Sequence, residues 1–218
     1  MIIKESFSAP EWNRREIARY ARADADDPRI AALMKDCIRE AEPVLEYRVC
    51  YTEDNIVRNQ RDISFCGIHT QSSVVAKAVN GCERILLFAA TVGASYDRLI
   101  ARYSRLEPSK GLMLQAIGAE RIESLCDAFC DKINTELCAS GKSLRTRVSP
   151  GYGDIPLSMQ NQMFLALDCE RKIGLTLNES LLMSPSKSVT AIAGIGAGRS
   201  NSKNPCAECQ KDSCAYRK

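Results

Sequence analysis

The sequence has a single histidine and a single tryptophan, and aromatic residues make up only 6% of it. One histidine, His69, excludes a site built from several imidazoles. No nucleophile signature stands near it to suggest a Ser-His-Asp or Cys-His pair. No apolar run reaches the ~18 residues that would suggest a membrane span. The start, Met1-Ile2-Ile3-Lys4-Glu5-Ser6, lacks the basic region, apolar stretch and cleavage site of a secretory signal. An excess of one charge is also missing: 30 basic and 27 acidic side chains leave a formal net charge of +3. That balance offers no basic face for nucleic acid. What is abundant is cysteine, eleven in 218 residues. An odd number in a chain this long, with no leader, argues against a disulfide framework and for a reducing, cytoplasmic setting. Cys126, Cys130 and Cys169 sit inside apolar patterns, where a free thiol packs as a small hydrophobe.

Periodicity predicts helices over residues 10–23, opened by Pro10, and from Pro28 to about Ala41, where Ile30, Leu33, Met34, Cys37 and Ile38 share a face. Leu45 to Tyr51 alternates and predicts a strand, and Ile63-Ser64-Phe65 a second. A helix is expected from Gln71 to Val79. Arg84 to Thr91 is a short continuous apolar run, expected as a buried strand. Gly93 to Tyr103 predicts a helix. Pro108 opens a long helix to about Leu137, closed by Ser140-Gly141. A further helix is expected from Leu157 to about Glu170, and a strand from Ser188 to Ala193. Helices and dispersed strands without strict alternation give an α+β class. The domain is expected to span residues 1–195, its N-terminal part, about 1–45, helical. Residues 196–218 read as a flexible linker and a cysteine-rich tail. The run Gly194-Ile195-Gly196-Ala197-Gly198 resembles a phosphate-cradling loop superficially, but no helix pattern follows it, so it too reads as linker.

One loop stands out: Arg147-Val148-Ser149-Pro150-Gly151-Tyr152-Gly153-Asp154-Ile155-Pro156, between two helices. Its glycines let backbone approach a ligand, and its prolines stiffen it. Arg147 suits a carboxylate, and Tyr152 offers a ring face and a hydroxyl. A rigid turn with a salt-bridged arginine fits the same spacing. The stretch resembles the Arg-x-x-x-Gly-Tyr motif of the activation domain of cobalamin-dependent methionine synthases. Two segments downstream agree in order. Ile173-Gly174-Leu175-Thr176-Leu177-Asn178-Glu179-Ser180 is similar to that family's G-x-x-L-T-E-S segment. Met183-Ser184-Pro185-Ser186-Lys187-Ser188-Val189 resembles its Met-x-Pro-x-x-Ser-Val segment. The resemblance covers roughly residues 80–195.

The resemblance implies a central twisted antiparallel sheet flanked by helices and binding of S-adenosylmethionine for reductive methylation of cobalamin. It implies contacts from Arg147, Ser149, Pro150, Gly151 and Tyr152, with Arg147 on the ligand carboxylate. It implies an acidic partner for the ligand ammonium, Glu123 or Glu120, though either also reads as an exposed helix charge. The chain has no Asp-x-His-x-x-Gly corrinoid motif, since His69 lies in Gly67-Ile68-His69-Thr70. The resemblance therefore implies a free-standing module that meets a methionine synthase or other corrinoid protein in trans, with an electron donor such as a flavodoxin or ferredoxin. Asp154-Ile155-Pro156 departs from the cysteine-containing sequence of the fused enzymes.

The tail holds Cys206-x2-Cys209-x4-Cys214. Thiolates at this spacing suit zinc or an iron–sulfur cluster, both of which usually take four ligands where the tail supplies three. A tail with reactive thiols is the other reading. The competing function class is a metal- or cluster-binding electron-transfer or adaptor protein acting on a corrinoid methyltransferase. An ordinary S-adenosylmethionine-dependent methyltransferase is disfavoured, because no Gly-rich loop follows an early strand.

Overall fold

The computed structural model describes residues 1–60 and 62–198. Its centre is a five-stranded sheet in the order β1 (Ile3–Ser6), β2 (Arg48–Asn55), β6 (Cys82–Thr91), β10 (Ser188–Ala197) and β7 (Lys142–Leu144). Every pairing in it is antiparallel. Strand β6 reads as an unbroken apolar run because both its faces are covered. Leu86, Phe88 and Ala90 face one core, and Ile85, Leu87 and Ala89 face the other. Helices α1 (Arg14–Ala21), α2 (Pro28–Ala41), α4 (Ala94–Leu106) and α5 (Pro108–Cys138) supply the first core. The second lies under a small sheet, β3 (Val57–Asn59), β4 (Asp62–Phe65) and β5 (Ile68–Thr70), with helices α3 (Ser73–Ala78), α6 (Met159–Leu167) and α7 (Cys169–Ile173). A two-stranded ribbon, β8 (Thr176–Leu177) with β9 (Met183–Ser184), leads into β10. The architecture is the α+β arrangement of helices flanking an antiparallel sheet that the sequence led us to expect.

Helix α5, with 31 residues, is the spine of the first layer. The Phe129 ring sits 4.9 Å from that of Phe88 and 5.1 Å from that of Tyr51 across the sheet face. Burial of such a ring stabilises by several kcal/mol, and truncation to alanine typically costs ~3–5 kcal/mol. No helix among the described residues is long and apolar enough to cross a membrane.

Several elements differ from expectation. The first helix begins at Arg14 rather than at residue 10, capped by the Asn13 side chain on the Glu16 amide. Pro10 and Glu11 stay outside it because their carbonyls accept from buried Arg121. The N-terminal part also contributes β1 to the sheet edge, so it is not wholly helical. Residues Glu42–Val44 form a turn of 3-10 helix, which delays β2 to Arg48. The helix expected from Leu157 to Glu170 breaks at Asp168, which takes a left-handed φ of 48°. Strand β10 continues through Gly194 and Gly196 to Ala197, where a linker was expected. A side chain at Gly194 would meet Cys82 Sγ at 2.7 Å and the Ala78 carbonyl at 2.8 Å. These glycines therefore serve close packing inside a strand.

Candidate functional site

The Arg147 loop is built by three anchors. Its upstream arm lies along β10: Val148 and Ile192 exchange both backbone hydrogen bonds at 2.9 Å, and the Arg145 amide donates to the Gly194 carbonyl at 2.8 Å. The turn closes on itself through Tyr152 N–H to Ser149 O at 3.1 Å and Gly151 N–H to Ile155 O at 2.9 Å. The third anchor is Asp154. Its carboxylate accepts from the Ser72 hydroxyl, from Ser73 N–H at 2.7 Å and from Val74 N–H at 3.2 Å. Ser72 caps Val75 N–H at 3.2 Å, so the open amides at the start of α3 are filled by the loop and by Ser72. These bonds, first those from Ser72 and Ser73, hold the Asp154 carboxyl well below the usual carboxylate range. Gly153 has φ +58°, and a Cβ there would meet Val74 Cγ2 at 2.6 Å. Ile155 is buried in the second core. Pro150 is buried, whereas Gly151 and Tyr152 are exposed, so the loop presents its tip outward.

Arg147 points to α5. Its guanidinium meets Glu123 at 2.7 Å and Asp127 at 2.5 Å, residues one turn apart on one helix face. Burial works against the Arg147 charge, and the neighbouring carboxylates of Asp127 and Glu123 oppose that cost. Cys126 and Cys130 are kept as thiols by burial, which pushes Cys130 up to about 11 and Cys126 well above the usual thiol value.

Glu123 is also part of a cleft of about 390 Å³, a size within the ~300–1,000 Å³ common for small-ligand sites. Tyr20 of α1, Ala119 and Ile122 of α5, and Ser186, Lys187 and Ser188 form the rest of its wall. The Ser186 amide and hydroxyl both bind Asp97, at 2.6 and 2.8 Å, which fixes that edge to α4. Burial, then the charge of Glu123, pushes the Tyr20 phenol up, so it stays a neutral donor. A second hollow, of about 410 Å³, lies between α6, α7 and β8 around Phe164, Asp168 and Cys169 and shares no wall residue with the first.

Glu120 does not reach the cleft wall. Both its oxygens are engaged by Arg121 at 2.5 Å, one also by Ser124 at 2.7 Å and by the Asn13 amide at 3.2 Å. Arg121 in turn stacks over the Trp12 ring at 3.9 Å. The pair is 2% and 0% exposed and pins residues 10–13 onto α5. Sequence reasoning passed over Tyr20, Asp127 and Lys187 as site residues. Asp127 is legible from its i,i+4 spacing to Glu123, whereas Tyr20 is placed only by helix packing. The expected metal ligands Cys206, Cys209 and Cys214 lie outside the described residues. Among the described residues, no group of three or more His, Cys, Asp or Glu could hold a metal ion.

Sheet, helix and loop together define an α+β domain with a cleft whose wall residue Glu123 is ion-paired to Arg147 of the stiffened loop. The chain belongs to the vitamin B12 dependent methionine synthase activation domain family, whose model matches residues 52–217. The chain is also similar to a solved structure, the crystal structure of the MetH reactivation domain bound to AdoHcy. The TM-score is 0.66 at 18% identity, covering 89% of this chain and 78% of that one. That likeness bears on the fold. Comparison with curated proteins gives no match.

Proposed function

We propose that the chain binds S-adenosylmethionine and serves the reductive methylation of cobalamin carried by a partner methionine synthase or related corrinoid protein. The observation that carries this reading is the Arg147–Gly153 loop, tied to the cleft through the Arg147–Glu123 ion pair, in a chain belonging to the activation domain family. Arg147, Ser149, Pro150, Gly151 and Tyr152 are its ligand contacts. Arg147 faces the amino-acid end of the ligand, where its N–H groups not taken by Glu123 and Asp127 meet the carboxylate. The exposed Tyr152 ring lies toward the adenosine or the methyl group. Of the two glutamates considered for the ligand ammonium, Glu123 is assigned, because it lines the cleft and Glu120 is consumed by Arg121.

The chemistry asks little of the protein beyond position. A one-electron donor, such as a flavodoxin or ferredoxin, reduces cob(II)alamin to cob(I)alamin. The cobalt then attacks the sulfonium methyl, taking the methyl cation and leaving S-adenosylhomocysteine. No protein nucleophile is needed, and holding the methyl toward the cobalt is the catalytic contribution. The setting is cytoplasmic in this reading. The test is methylcobalamin formation under reducing conditions, with a cobalamin-loaded methionine synthase and S-adenosylmethionine, with and without the chain. Methylation that depends on the chain supports the proposal, and equal rates in its absence refute it.

Cys206, Cys209 and Cys214 fall within the family match, which runs to residue 217. In our reading these three thiolates hold zinc or an iron–sulfur cluster, the fourth ligand coming from elsewhere in the chain, a partner or an exogenous molecule. Metal content and an absorption spectrum of anaerobically prepared protein decide this, and metal-free protein would rule it out.

A further inference from the structure

The charges around the cleft do not match a ligand carboxylate if Arg147 is its only cation. Arg147 already meets two carboxylates, Glu123 at 2.7 Å and Asp127 at 2.5 Å. The three side chains together carry one net negative charge. Such a cluster attracts an ammonium or a sulfonium. A second anion approaching it meets repulsion unless another cation is near.

Lys187 is that cation. It lines the cleft together with Glu123. Its stem lies across α5 at Gly118, where a Cβ would meet Lys187 Cγ at 2.9 Å and Cδ at 3.0 Å. The absence of a side chain at Gly118 leaves room there for the Lys187 stem and for the Tyr96 ring. No carboxylate among the described residues forms an ion pair with it. The acid it senses, Asp97, is occupied by the Ser186 amide and hydroxyl. A half-buried ammonium without a counter-ion is costly, and burial accordingly pushes the Lys187 amine down, with Asp97 opposing only in part. An incoming carboxylate would relieve that cost.

Resting on the proposed binding of S-adenosylmethionine, we propose that Lys187 supplies the positive charge of the carboxylate subsite, in the same cleft as the Glu123 that takes the ligand ammonium. Arg147 then orients Glu123 and adds hydrogen bonds to the carboxylate, and Lys187 balances its charge. The two residues together read an α-amino acid head group by its two charges, which separates a whole amino-acid ligand from a truncated one.

The experiment compares wild type with Lys187→Met, which keeps an unbranched stem of similar length and removes the charge. Each protein is titrated calorimetrically with S-adenosylmethionine and with its decarboxylated analogue, which lacks only the carboxylate. A charge-assisted contact predicts that K187M weakens S-adenosylmethionine binding by roughly ten- to a hundredfold. The same variant should bind the decarboxylated analogue as wild type does. If K187M binds S-adenosylmethionine as tightly as wild type, the lysine assignment fails while the proposed function stands. Equal losses for both ligands would show that the lysine only shapes the cleft and would also overturn the assignment. If wild type binds no S-adenosylmethionine, the proposed function itself falls, and the lysine assignment with it.

Discussion

Glu120 and Glu123 stand three residues apart on α5, yet only Glu123 lines the cleft. Glu120 is 2% exposed and compensates the fully buried Arg121. Removing its charge strands a buried guanidinium, which typically costs ~3–5 kcal/mol. Glu120→Gln should therefore lower the urea midpoint clearly. Glu123→Gln touches a half-exposed ion pair and should cost under about 1 kcal/mol. Its effect should appear in ligand binding instead, as a loss of roughly tenfold for S-adenosylmethionine in a calorimetric titration. If E123Q unfolds the domain while E120Q is silent, the two roles have been assigned the wrong way round. From sequence the two glutamates look alike, because helical periodicity does not say that Trp12 and residues 10–13 fold over one of them. That contact is made across more than a hundred positions of the chain.

At the scale of elements, the loop and α3 form one unit through Asp154. The Asp154 carboxyl is held below its unfolded value of ~3.9 by bonds from Ser72, Ser73 and Val74. Its contribution to stability is full above that value and is lost as pH falls through the lower folded value. Between pH 5 and pH 2, wild type should lose stability more steeply than Asp154→Asn, in urea midpoints measured at each pH. Parallel pH profiles would contradict the coupling. Gly153→Ala tests the same unit: its positive φ and the 2.6 Å approach to Val74 predict destabilisation, and with it weaker ligand binding. The strong helix signals were legible in advance, Asp27-Pro28 at α2 and Pro108 at α5, as was the apolar run of β6. The glycines of β10 were misleading. In isolation Gly194 and Gly196 suggest a linker, and only the packing of Cys82 and Ala78 against the strand shows why side chains are excluded. Short edge strands β1 and β7 carry too few residues for a pattern to show.

For the molecule as a whole, the division of labour follows the two cores. The core beneath α5 fixes Glu123, Asp127 and the lysine track at Gly118. The other core carries Ile155 and α3, to which the loop is tied. Arg147 bridges them, rooted beside β10 and reaching the helix. Ligand that binds only the folded form raises stability by mass action. S-adenosylmethionine at a hundred times its dissociation constant should thus add ~2.7 kcal/mol, seen as a rise in the thermal midpoint. Adenosine at the same concentration, which lacks the amino-acid end, should raise it less. Equal shifts would mean that the charged walls around Glu123 and Lys187 do not take part in recognition.

In the proposed function the Arg147–Gly153 loop holds S-adenosylmethionine. This is tested most directly by calorimetric titration of that ligand into the wild-type chain and into Arg147→Ala. Wild type should show saturable one-to-one binding, and the folded variant should lose at least about tenfold in affinity. Unchanged affinity in Arg147→Ala would contradict it.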